Sequence, residues 1–143
     1  MKRTYIDASV LIAAFQGDGI ISRRAMEVLD DPNRELVVSD FLRLEVLPKP
    51  TFHKRTEEVE FMNAVLENAA ENVPCDPGVT KKAIELASDY DVAPMDALHV
   101  GAASAAKVTG SIWPIHPPMT TAARGGRLAC MQRRNEGRVL RPR

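Results

Sequence analysis

The chain has 143 residues, 45% of them apolar, which is one domain's length and enough to bury a single core. Its 19 Lys and Arg balance 19 Asp and Glu, so no chain-wide basicity advertises nucleic acid. Cys75 and Cys130 are too few for a disulfide framework or a zinc site, and the apolar run Val10–Phe15 is too short for a signal peptide or membrane span; a soluble protein of a reducing cytoplasm, with no membrane partner, is expected.

Thr4–Ile6 favours a strand, and after Asp7 the Ser9 hydroxyl is suited to cap a helix running to Phe15. That places Asp7 at the carboxyl end of the first strand, inside an otherwise apolar stretch. An amphipathic helix is expected over Ser22–Leu29, stopped by Asp31-Pro32-Asn33, and Glu35–Val38 reads as a second strand. Ser39-Asp40 opens a third helix through Leu47, ended by Pro48 and Pro50. Thr56–Asn72 reads as one long helix with an acidic outer face, and Val73-Pro74 as the end of a short buried strand. Val79–Tyr90 is a further helix, and Pro94, tolerated in a first helical turn, starts another through Ala106. Strands alternating with helices predict a three-layer α/β/α sandwich with a mostly parallel sheet, whose functional groups gather at the carboxyl ends of the strands.

Two further acids fall where apolar residues are expected. Phe41, Leu44 and Pro48 put Glu45 on a helical stripe that should face the core, and Asp96 shares a stripe with His99, Val100 and Ala103. Each acid has an ordinary explanation: Asp7 as a cap, Asp96 as a first-turn acid, Glu45 as the solvent edge of its stripe. Jointly they are harder to explain. Carboxylates gathered on inward surfaces repel one another unless a cation neutralises them, and all-oxygen ligation favours Mg²⁺ or Mn²⁺.

The blocks YIDASVLIAAF, SDFLRLEVLPKP and APMDALHVGAA resemble the first three acidic motifs of PIN domains. The Glu45 block with its Leu-Pro-Lys-Pro is similar to VapC-type toxins. The resemblance spans about residues 3–107 and implies a metal-dependent endoribonuclease with RNA as substrate, a cognate antitoxin as partner, and a homodimer. Carried over by position, Asp7, Glu45 and Asp96 match the metal-binding, catalytic acids, and Ser9 the hydroxylated residue beside the first acid. His99 reads either as a packed histidine or as a group supporting the site. Lys49, His53, Lys54 and Arg55 read either as an RNA-phosphate contact or as a solvated helix start. A phosphotransferase with an Asp nucleophile would want a second Asp where Ser9 stands, and a receiver domain would want an acidic pair on the first strand.

The division expected is a PIN-like core over 1–110 and a tail over 111–143. The core holds 12 Lys or Arg against 18 Asp or Glu, whereas the tail holds 7 Arg against Glu136 alone. The family continues past the Asp96 helix with a strand, a Thr-rich turn and a fourth acid. Here GSIWPIHPPMTTAARGG supplies Thr120 and Thr121, but no acid occurs between Asp96 and Glu136. The tail reads either as divergent sequence, disordered or attached to a partner, or as translation out of frame after about Gly110, since a shift of two bases turns Met119-Thr120 into an obligatory Asp. Two functional classes follow: an active ribonuclease, or a catalytically impaired PIN module that binds antitoxin or RNA without cutting.

Overall fold

The computed structural model describes residues 1–108, which form three strands and seven helices. In chain order they are β1 (Lys2–Tyr5), α1 (Ala8–Gln16), α2 (Gly19–Leu29), β2 (Arg34–Ser39), α3 (Asp40–Val46), α4 (Pro48–Phe52), α5 (Thr56–Glu67), β3 (Glu71–Val73), α6 (Pro77–Tyr90) and α7 (Pro94–Ala105). The sheet is parallel with order β1-β2-β3, Tyr5 lying opposite Val37 and Ser39 opposite Val73.

Side-chain alternation along the strands builds the layers. Tyr5 and Val37 point to one face, where they meet Val79 and Leu86 of α6 and Val100 and Ala103 of α7. Their neighbours Ile6 and Val38 belong to the other face, with Val10 and Leu11 of α1, Leu42 of α3, and Met62 and Leu66 of α5. This is the predicted three-layer α/β/α arrangement. Arg3 crosses the sheet, pairing with Glu35 at 3.1 Å and with Glu71, and donating to the Ala106 carbonyl at 3.3 Å. No described helix is long and apolar enough to cross a membrane. Cys75 is exposed and free.

Four local expectations need correction. Asp7, not Ser9, caps α1. The second helix begins at Gly19, which takes the positive φ of 79° that suits glycine. Pro48 does end α3, but it also opens the five-residue α4, because a proline fits the first helical turn as well as it stops a preceding helix. The long helix expected to reach Asn72 stops at Glu67, and residues 71–73 pair with β2 instead. The tail, with Thr120, Thr121 and Glu136, lies outside the described residues.

Candidate active site

Asp7 follows directly from β1 and turns the chain into α1. Its Oδ1 accepts the Ser9 N–H at 3.0 Å, the Ser9 hydroxyl at 2.6 Å and the Val10 N–H at 3.4 Å. Glu45 sits in the last turn of α3, which Ser39 caps through a 3.2 Å bond from the Leu42 N–H. Asp96 lies in the first turn of α7, and one turn on is His99, buried at 6% exposure. The three acid-bearing segments start at the carboxyl ends of β1 and β2 or pack against them from α7.

His99 is the group these acids share. Its Nε2 contacts Glu45 Oε1, and both Asp7 and Asp96 lie within electrostatic reach of the ring. Burial pushes the Asp7 carboxyl above the usual range, opposed by the Ser9 hydroxyl, His99, and the Val10 and Ser9 amides. Asp96 is also pushed up by burial, against His99 and helped by the nearby Glu45 charge. The buried Tyr5 has its hydroxyl driven well above the normal phenolic range by the same desolvation, opposed by Ser39, with Asp7 and Glu45 adding to it.

The stripe argument for Glu45 holds only in part. Phe41, Leu42 and Val46 form the buried arc of α3, whereas Leu44, at 66%, and with it Glu45 and Pro48 are exposed. A helix of seven residues buries a narrower arc than the full stripe. Asp96 likewise stands at the open end of a stripe whose later members, His99, Val100 and Ala103, are buried. Glu45 and Asp96 are thus exposed and Asp7 half-buried, and none of the three fills the core.

Three oxygen-donor acids, two of them disfavoured as anions by their surroundings, suit a hard divalent cation in chemistry. In the side-chain arrangement adopted, however, no three His, Cys, Asp or Glu among the described residues stand close enough to share one ion. Glu45 is turned onto His99.

Tyr5 and Ser39 are the site residues that sequence reading does not single out. Tyr5 looks like any aromatic strand residue, and Ser39 like any helix cap. The basic cluster Lys49, His53, Lys54 and Arg55 is exposed on α4 and the turn after it, beside Phe52 at 82% exposure; Arg55 reaches Glu58 at 3.5 Å.

A family model described as the PIN domain matches residues 4–110. No curated protein matches the chain. Among solved structures, it is similar to a toxin-antitoxin complex from Klebsiella pneumoniae, at 16% identity over 85% of this chain and 93% of that chain, with a TM-score of 0.61. At that identity the likeness is one of fold.

Proposed function

Because the chain belongs to the PIN domain family, whose members are in general metal-dependent nucleases, we propose that it is a metal-dependent endoribonuclease acting as the toxin of a toxin–antitoxin pair. The observation that carries this reading is that Asp7, Glu45 and Asp96, from three separate elements, all interact with the one buried His99, Glu45 by direct contact and Asp7 and Asp96 through their charges. Asp7, Glu45 and Asp96 would hold Mg²⁺ or Mn²⁺. When bound, such an ion supplies Lewis-acid charge beside a phosphodiester and lowers the pKa of its water. Ser9 holds Asp7 Oδ1 in place, and the helix start at Asp7 fixes the carboxylate relative to β1. Lys49 and the exposed Phe52 lie on the element that follows Glu45, and Lys54 on the turn after it, where they suit the backbone and bases of a single strand. A cognate antitoxin and a second copy of the chain are the protein partners; the antitoxin is supported by the fold shared with a toxin-antitoxin complex. The nuclease unit is residues 1–110.

A second reading is favoured by one observation: no Asp or Glu occurs between Asp96 and Glu136, so the family's fourth acid has no evident counterpart. On that reading the protein binds antitoxin or RNA without cutting. One assay separates the two. Purified full chain with Mn²⁺ should cleave single-stranded RNA, and Asp7→Asn should lose at least about a hundredfold in rate, ~2.7 kcal/mol of transition-state stabilisation. Cleavage indifferent to chelation or to Asp7→Asn would refute metal-dependent chemistry, and folded protein that binds Mn²⁺ without cutting would select the impaired module.

A further inference from the structure

Tyr5 is a fully buried tyrosine whose hydroxyl has two partners, Ser39 Oγ at 2.6 Å and His99 Nδ1 at 2.7 Å. Beyond Ser39 the contacts run to the Leu42 N–H, at 3.2 Å. Beyond His99 they run from Nε2 to Glu45 Oε1. Each hydroxyl has one proton to give, and this sets the direction of the whole relay. An ionised Glu45 only accepts, so Nε2 carries the hydrogen. In the neutral ring Nδ1 is then an acceptor, Tyr5 O–H donates to it, and Ser39 O–H donates to the Tyr5 oxygen. The Leu42 N–H fills a lone pair on Ser39. Run the other way, Nδ1–H would donate to Tyr5, Tyr5 to Ser39, and the Ser39 hydrogen would be turned away from both its partners. In the forward direction every donor in the relay is used.

The relay also has a mechanical shape. Ser39 caps the start of α3 and Glu45 lies in its last turn, so Tyr5 and His99 bridge the two ends of that helix from β1 and α7. These are the elements that bear the three acids: Asp7 comes two residues after Tyr5, and Asp96 one turn before His99.

We propose that His99, fixed as the Nε2–H tautomer between the Glu45 carboxylate and the Tyr5 hydroxyl, is a positioning residue that holds one oxygen of Glu45 and leaves the other for a divalent cation. The last clause rests on the nuclease reading; the tautomer and the hydrogen-bond direction do not. A histidine that merely filled the core would need neither a particular tautomer nor a donor aimed at Glu45.

Two measurements on the full chain test this. Imidazole nitrogen spectra of metal-free protein should show His99 with Nε2 protonated and Nδ1 bare, and Tyr5→Phe, which removes the donor to Nδ1, should move the Nδ1 resonance while Nε2 keeps its proton. Mn²⁺ titration calorimetry should find His99→Leu about tenfold weaker than wild type, the usual scale for losing a partner behind a ligand. His99→Gln, whose amide N–H can replace the Nε2 donor, should recover most of that loss. A protonated Nδ1 in the wild type overturns the proposal, as does wild-type Mn²⁺ affinity in His99→Leu or no recovery in His99→Gln. Should His99→Leu fail to fold, the wild-type spectrum and Tyr5→Phe still decide. Should wild-type protein bind no Mn²⁺, the nuclease reading fails while the nitrogen spectrum still judges the relay.

Discussion

Asp7 is held by one oxygen and pressed by its surroundings on the whole group. Its Oδ1 accepts two backbone amides and the Ser9 hydroxyl, which is enough to keep a carboxylate inside an apolar stretch, yet burial still pushes its pKa up. Capping alone therefore leaves the charge under-compensated. Asp40 is the contrasting case. Its carboxylate accepts Asn72 Nδ2 at 2.8 Å and the Cys75 N–H at 3.0 Å, joining the first turn of α3 to the end of β3. Those two bonds, the Asn72 one foremost, hold its pKa below the usual range. A depressed acid favours the folded state above its unfolded pKa, about 3.9, and loses that contribution as pH falls through the lower folded value. Asp40→Asn should thus lower the urea midpoint at pH 7 and cost progressively less below pH ~4. A penalty that stays constant from pH 7 down to pH 2.5 would assign the effect to hydrogen-bond shape rather than charge.

Among the elements, α1 and α2 meet at a crowded turn around Gly17. Gly17 has an ordinary φ of −78°, so backbone freedom does not explain it; a Cβ there would fall within the van der Waals envelope of Ser22 Cβ and the Ala13 carbonyl oxygen. Gly17→Ala should destabilise by about 1–3 kcal/mol, the range for forcing extra volume into packed surroundings, read from denaturant unfolding. A change under about 0.5 kcal/mol, the range of a bland surface substitution, would mean that α2 shifts freely. Gly101 plays a milder part in α7, its Cβ position lying 3.1 Å from the Val79 carbonyl oxygen of α6. Element type is largely legible in the sequence because apolar periodicity is strong from Val10 onward and Pro94 marks a helix start. Boundaries fail where two rules compete. Helical periodicity favours continuing α5 to Asn72, but pairing with β2 claims residues 71–73, and no local signal announces that partner. The acids stand out because a charge in an apolar run is conspicuous. Tyr5 does not, since its role depends on His99, 94 residues away in the chain.

At the scale of all the described residues, the two cores lie on opposite faces of one parallel sheet, and Asp7 and the Glu45 helix follow the carboxyl ends of its strands β1 and β2. An ion bound there by the folded protein alone should stabilise it by mass action, about 2.7 kcal/mol when free metal is a hundredfold above Kd. Addition of Mn²⁺ should therefore raise the thermal midpoint by several degrees, and Asp96→Asn should shrink that rise; an identical rise in the variant would place the metal elsewhere. The parallel topology has one more implication, for the order in which the protein is made. Strand β1 emerges first but cannot complete its hydrogen bonds at Tyr5 until α7 has been synthesised, because His99 comes 94 residues later. During translation the N-terminal half can dock Tyr5 against Ser39, but Glu45 has no imidazole to meet. A nascent chain on the ribosome, surrounded by RNA, thus carries an unassembled centre until nearly the whole described domain has left the tunnel.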